Sequence, residues 1–508
     1  MQTIGIIGAG ISGLTTAKTF RERGYKVVVL EKASALGGVW DRNRFYINVS
    51  TQTTKNEYAY TDFPMPDHYH EWPTGEQMNE YLHNYAQHFG INDSIFFNMQ
   101  VQDMTCNEDG WQLQAMHTGT GSLQNYTFSF VVVCTGTFHE KYLPSFPGME
   151  AFTAAGGQIL HSSEITSNAL LEGRDVAVVG FAKSATDIAT QAADTAASCT
   201  LLYRKAQWKV PRFFGGKVNL KYLLFSRFSE AFFRSYRQTA FQKLLHSIGK
   251  PLVWMQWRGV ELLLKKQFRL KQCGMLPGHR IEDQVSCSLG IAPEGFYEKV
   301  SAQKIKAICT EIDTFSEDGV LLKNGATIRP DLVVMGTGFR QRLPFLNGDY
   351  QRLICNENGQ FMLHRNIISP NLPLLGFVGF NSSLFSTLTS EIAANWLVEY
   401  VNGNIQLPVQ SEIIKERAII EQWKKNVRPV ATEFSGLCIA PFNFQHLDQL
   451  MKDMGLKTGG RNRLLQFFKP VNPAGYQQLL AGLRNVRQQH SADNSHTSPV
   501  ARFSKELS

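Results

Sequence analysis

The residues of this chain best suited to chemistry are glycines at turns, not side-chain nucleophiles. Gly8-Ala9-Gly10-Ile11-Ser12-Gly13 follows an apolar run from Thr3 to Ile7 and opens a helical pattern that continues through Arg21. A second apolar run, Tyr25 to Leu30, ends in Glu31. Strand, G-x-G-x-x-G turn, helix, strand and acid is the order a dinucleotide site requires. Gly8 permits the tight turn, Gly10 lets a diphosphate approach the backbone, and Gly13 lets helix and strand pack closely. The helix start, including Ser12, offers free N–H groups and a positive dipole end to the diphosphate. Glu31 suits the hydroxyls of an adenosine ribose, and Lys32 follows it as a further contact. Leu36-Gly37-Gly38-Val39-Trp40 comes next, and it is similar to the run with which flavoproteins of this general class hug FAD, one that NAD-only dehydrogenases do not need.

The pattern recurs. Arg174 to Val179 reads as a buried strand, followed by Gly180-Phe181-Ala182-Lys183-Ser184-Ala185-Thr186-Asp187 and a helix. The next strand, Leu201 to Tyr203, ends in Arg204-Lys205 where the first unit has an acid. A 2′-phosphate needs a cation at that point, which favours NADPH over NADH. Arg204 is the first choice for the phosphate, with Lys205 and Lys183 behind it. Ala182 replaces the second glycine, and its methyl group is expected to push the diphosphate outward.

The elements that position these turns imply an α/β fold. Two Rossmann-like dinucleotide-binding domains are expected, the NADPH domain inserted into the FAD domain, with an added helical insertion. The expected boundaries are 1–150 and 331–403 for FAD and 151–330 for NADPH, with the insertion at about 213–277. A helical region at 404–483 and a polar, disordered tail at 484–508 complete the chain. At 508 residues the chain is too long for one core.

Between Lys217 and Lys271 stand twelve Lys/Arg against Glu230 and Glu261, although the net charge of the whole chain is only +8. That concentration argues against nucleic acid as a partner and gives one basic, aromatic segment its own job. Pro251 is expected to separate its helices, the last spanning Trp254 to Leu270. The segment can wall a substrate tunnel, lie on an anionic membrane surface or form a homodimer contact. The eight cysteines are scattered with no C-x-x-C pair, which argues against a thiolate metal site or a disulfide scaffold. The thirteen histidines show no metal-ligand spacing. The expectation is a cytoplasmic protein without leader or spanning helix, at most peripheral at a membrane.

Order and spacing beyond the glycine turns resemble one family. Glu31 followed by Gly37-Gly38-Val39-Trp40, then Lys55 and Asp62-Phe63-Pro64, is similar to the flavin-containing monooxygenases. Val131-Val132-Val133-Cys134-Thr135-Gly136 resembles the strand returning to the flavin domain, and Asp331 to Phe339, with Gly338, resembles the second such return. Gly157 to Ser163 resembles the family fingerprint, although its leading aromatic falls at Ala155 and a later one at Ile165. Gln52, three residues before Lys55, looks more like the plant-type branch than the animal type, which carries Asn there.

The resemblance implies that NADPH reduces FAD and that reduced flavin adds dioxygen as a C4a-(hydro)peroxyflavin. That species transfers one oxygen atom to a nucleophilic nitrogen or sulfur centre of a small organic substrate. Gln52 is the candidate catalytic residue, and His161 the candidate interdomain hinge. Thr135, Gly136 and Gly338 would lie against the cofactors, and no metal is implied. The helix from Phe385 through Tyr400 offers its start to the flavin pyrimidine edge, unless an ordinary Ser/Thr cap closes it. Three alternatives stay open: Baeyer–Villiger oxygenation of a ketone, NADPH oxidase activity yielding hydrogen peroxide, and a flavin-binding partner module without turnover.

Overall fold

The protein is described from a computed structural model covering residues 2–285, 289–427, 437–458 and 463–488. The chain begins with β1 (Thr3–Ile7), α1 (Ile11–Glu22) and β2 (Lys26–Leu30), then adds β3 (Ile95–Phe96) and β4 (Phe130–Val133). It leaves this unit to build β5 (Gln158–His161), β6 (Asp175–Val179), α2 (Lys183–Thr195), β7 (Ser198–Tyr203), β8 (Lys306–Cys309) and β9 (Leu332–Met335). It then returns with β10 (Leu375–Phe377) and α3 (Ser386–Val401).

Two five-stranded sheets result, ordered β10-β4-β1-β2-β3 and β8-β7-β6-β9-β5. Every pairing within them is parallel. The strand sequences explain this. TIGII, FVVV, DVAVV and LVVM are β-branched and apolar almost throughout, as strands covered on both faces must be. Register aligns their carboxyl ends, with Ile7 beside Leu30 and Val133, and Val179 beside Leu202 and Met335. Each sheet therefore opens a crevice at its carboxyl edge, where open α/β sheets hold their ligands. The architecture is the expected α/β fold with two dinucleotide-type sheets. Leu332–Met335, expected to return the chain to the FAD unit from 331, instead pairs with β5 and β6 in the second sheet, and the return comes at Leu375–Phe377.

Two three-stranded antiparallel sheets flank these units. The basic segment contains the helices Ala240–Ser247 and Lys250–Gln267. Pro251 lies in the first turn of the second helix. It opens that helix instead of standing between helices, because a first-turn N–H has no intrahelical partner to lose. The segment docks on the C-terminal region. Val471 donates to the carbonyl of Phe225 at 2.8 Å, Arg227 pairs with Asp448, and Glu230 accepts from the N–H groups of Phe444 and Gln445. The helix Ala474–Gln488 runs past Arg484, where a tail was expected to start; the remainder of that expected tail lies outside the described residues. Among the described residues Cys438 is disulfide-bonded, whereas Cys106, Cys134, Cys199, Cys273, Cys309 and Cys355 are free. The bonded thiol departs from a fully reduced chain. No other cysteine stands near it in sequence, so local spacing carried no sign of the pairing. Among the described residues no helix is long and apolar enough to cross a membrane.

Candidate active site

The carboxyl edges of the two sheets share one cavity of about 660 Å³. From the first unit come Gly8, Gly10, Ser12, Glu31, Lys32, Gly38, Val39, Trp40, Thr135 and Gly136. From the second come Ala182, Lys183, Ser184 and Gly338, and Gln52 lies in the same wall. Turns separated by more than a hundred residues thus meet around one space.

The first turn is built by close approach. A Cβ on Gly13 would stand 1.8 Å from the carbonyl oxygen of Gly8, so only glycine lets α1 begin there. Gly10 and Gly38 face each other: a Cβ on Gly38 would lie 3.0 Å from the Cα of Gly10. Gly37 donates to the carbonyl of Ala9 at 3.0 Å, fixing that apposition. Gly10 caps α1 without a side-chain hydrogen bond, which leaves the first-turn N–H groups open to an anion. The Glu31 carboxylate, buried, accepts from the N–H groups of Ala9 at 2.7 Å and Ala33 at 2.9 Å. Its place in the cavity wall leaves further lone pairs for a ribose.

Two features show that these residues fit FAD. Among the described residues the buried hydroxyl of Thr135 has no hydrogen-bond partner, and the glycine cradle is one that side chains would fill. A third element completes the floor. α3 starts after Phe385, which provides no side-chain cap, so the expected alternative of a Ser/Thr cap does not hold. Ser386 and Ser390 line the cavity, and Ser390 shares a 3.0 Å hydrogen bond with Ser12. Cys134, also in the wall, has its thiol pushed up to about 12 by burial, so it offers no thiolate.

The second turn is analogous. Gly180 has φ +125°, and a Cβ there would lie 2.6 Å from the carbonyl oxygen of Gly336. Ala182 precedes α2 without a side-chain cap. Lys183 pairs with Asp187, which also accepts from the Tyr46 hydroxyl at 2.8 Å. Gln52 uses its amide oxygen to accept from the N–H of Ile291 at 3.2 Å, so its amide nitrogen is the group left for the cavity.

Gly13, Gly180, Arg204, Lys205 and His161 stand outside the cavity wall. The two glycines act through the backbone of their turns. Arg204 follows β7 and is 80% exposed, 4.0 Å from Glu311. His161, fully buried, bonds Ser163 and the carbonyl of Gly338, both at 2.8 Å; burial lowers its pKa, which keeps the ring neutral. It links the end of β5 to the turn after β9. Tyr46, Tyr58, Phe138, Phe345, Asn381 and Leu384 also line the cavity. They come from loops without a motif, and only packing reveals them.

Comparison with known proteins agrees with this geometry. A family model described as flavin-binding monooxygenase-like matches residues 1–459. The chain is 28% identical to the probable flavin-containing monooxygenase 1 of Arabidopsis thaliana, covering 93% of this chain and 96% of that one. Its fold is similar to the S-allyl-L-cysteine S-oxygenase of Allium sativum, with TM-score 0.61, 17% identity and coverage of 100% and 98% of the two chains. It is also similar to an oxidized steroid monooxygenase bound to NADP, with TM-score 0.63, 17% identity and coverage of 90% and 98%. Two dinucleotide turns meeting at one cavity, in a chain matched almost end to end, place this protein in the flavin-binding monooxygenase-like family, as an FAD- and NADPH-dependent monooxygenase.

Proposed function

We propose that this enzyme oxygenates a nucleophilic nitrogen or sulfur centre of a small organic substrate. The observation that carries the reading is the single cavity joining both turns to Gln52. In it a reduced cofactor, dioxygen and substrate can be held together away from water. When bound, FAD supplies the redox chemistry, with NADPH as reductant.

The chain's own residues do the rest. Gly8, Gly10, Ser12 and Gly13 present the α1 terminus to the FAD diphosphate. Glu31 and Lys32 take the ribose side, and Gly38, Val39, Trp40, Thr135 and Gly136 close over the remainder. The α3 terminus faces the flavin edge. On the NADPH side, Gly180 shapes the turn, Lys183 and Ser184 meet the diphosphate, and Arg204 with Lys205 meets the 2′-phosphate. His161 holds the turn that bears Gly338 against the end of β5 at the edge of the second unit. Gln52 donates from its amide nitrogen at the junction, where the substrate is held. Tyr46, Phe138 and Phe345 help exclude solvent, on which coupling of reduction to oxygenation depends. Ile165 is fully buried and absent from the cavity wall, and its carbonyl accepts from the N–H of Ile47 at 2.8 Å. Ile165, where the fingerprint carries its later aromatic, is therefore part of the core here and makes no cavity contact.

The test is product balance. FAD-loaded enzyme with NADPH and a sulfide or tertiary amine should give oxygenated product equal to NADPH consumed. Hydrogen peroxide equal to NADPH would replace this reading with an oxidase. Ester from a ketone, with sulfides untouched, would replace it with Baeyer–Villiger chemistry, and no NADPH consumption would leave a binding module.

The basic segment gives this enzyme a second surface, and we infer that it rests peripherally on an anionic bilayer. Leu244, Ile248, Leu252, Met255 and Leu262 recur at helical spacing and are all more than half exposed, Ile248 at 80%. Lys243, Lys250 and Lys266 flank them, and the nearby Glu261 is buried. Apolar side chains rimmed by lysine complement anionic headgroups over acyl chains.

A further inference from the structure

Lys209 is the cation that the cofactor sites leave unexplained. It belongs to the two-residue strand Lys209–Val210, paired with Gly290–Ile291 beside the second turn. The residue is 2% exposed. Its Nζ lies 5.3 Å from the centroid of the Phe181 ring. A Cβ on Gly290, a cavity-wall residue, would lie 3.6 Å from that Nζ and 3.5 Å from Oε1 of Gln52. Among the described residues no hydrogen bond or ion pair satisfies this ammonium group. The acid that acts on it is Asp187, 4% exposed and already engaged by Lys183 and Tyr46.

The other charged groups in this neighbourhood are few. α2 contributes Lys183 and Asp187, the loop before Gln52 contributes Tyr46, and Arg212, on the same segment, donates to Ser50 at 2.9 Å. Burial of an ammonium group that has no hydrogen bond favours its neutral form. Burial brings Lys209 down to about 7; Asp187 opposes the shift and Lys183 adds to it. Two lysines therefore compete for one carboxylate, and only Lys183 has it. Lys183 is also the one at the start of α2, in the cavity wall, where a diphosphate would lie.

We propose that Lys209 is a proton-linked counter-ion for the NADPH site: when the diphosphate draws Lys183 away from Asp187, Lys209 takes a proton from solvent and becomes the cation facing Asp187. The exchange keeps the buried carboxylate compensated while freeing Lys183 for the cofactor. It makes NADP(H) affinity depend on pH through a residue that does not itself touch the cofactor, so Lys209 is a positioning residue. This inference rests on the reading that NADPH occupies the second turn.

The experiment measures proton uptake when NADP+ binds to the oxidised, FAD-loaded enzyme in weak buffer with an indicator dye. Wild type is compared with Lys209→Met and Lys209→Arg, and visible absorbance confirms FAD content. The wild-type uptake in excess of Lys209→Met should be about 0.9 proton at pH 8 and about 0.1 at pH 6, the unprotonated fractions of a group titrating near 7. Lys209→Arg, permanently charged, should bind NADP+ without that excess. Should Lys209→Met lose its FAD, Lys209→Gln takes its place as the uncharged variant that cannot gain a proton at this position. Equal uptake in wild type and the variants, or NADP+ binding with no uptake, would overturn the inference and leave the site reading intact. Failure of NADP+ to bind the FAD-loaded enzyme would overturn both.

Discussion

Gly13 and Arg204 show how differently single residues serve the two dinucleotide sites. Gly13 acts by having no side chain: the 1.8 Å approach of a Cβ to the Gly8 carbonyl involves backbone on both sides, which cannot step aside. Gly13→Ala should therefore cost about 3 kcal/mol or more, at the upper end for overpacked sites. It should yield protein without FAD, read directly from the visible spectrum. On the proposed reading Arg204 would act by reach. Its side chain is 80% exposed and only loosely paired to Glu311, so little holds it away from a 2′-phosphate. Arg204→Ala should raise the KM for NADPH by about tenfold or more, the worth of a hydrogen bond to a charged group, with NADH little changed. Equal losses for both cofactors would remove Arg204 as the phosphate ligand. The turn at Gly13 and the place of Arg204 after a strand were legible in the sequence because both are local features. Lys209 was not, since its burial near an Asp187 already taken by Lys183 is a fact of packing.

At the level of helices and strands, buried charge decides where stability depends on pH. Glu230 lies under the N-terminus of the helix Asn443–Asp453 and accepts from Phe444 N–H at 2.8 Å and Gln445 N–H at 3.0 Å. Burial nonetheless raises it to about 8, against those two hydrogen bonds and Arg227. A carboxyl raised above its unfolded value binds its proton more tightly in the folded state. Its contribution is complete below about pH 4.5 and is lost as pH rises toward 8. Denaturant midpoints should accordingly fall across that interval, and Glu230→Gln should flatten the fall; an unchanged slope would show that other groups cause it. The exposed stripe on Ala240–Ser247 and Lys250–Gln267 supplies a separate prediction. Leu252→Asp with Met255→Asp and Leu262→Asp should abolish co-sedimentation with phosphatidylserine vesicles while leaving NADPH turnover in solution intact. Wild-type protein that ignores such vesicles, or that forms dimers through this face, would refute the membrane reading.

For the molecule as a whole, the shared cavity couples cofactor occupancy to global stability. Its wall draws on the turns at the carboxyl edges of both five-stranded sheets and on α3, so a bound FAD would bridge elements far apart in the chain. FAD held at a hundred times its Kd should stabilise the protein by about 2.7 kcal/mol, seen as a rise in Tm that grows with FAD concentration. A Tm independent of FAD would mean that the cavity does not hold it in this way.

The sequence by itself determined the two dinucleotide units, their order and the family. A tight turn, an apolar parallel strand and a charge at a strand's end each depend on residues within a short stretch, and each left a pattern there. It also marked Gln52 and the basic segment, without saying what they face. Only the tertiary structure decided that Gly10 and Gly38 close on each other, that Gln52 turns its oxygen to Ile291, and that Arg204 stays outside the cavity while Lys209 is buried beside it. Cys438 joined a disulfide for the same reason, having no partner near it in the chain. These outcomes depend on contacts between residues far apart in sequence. Burial and charge compensation are set by everything that packs around a group, and no single segment of the chain contains that information.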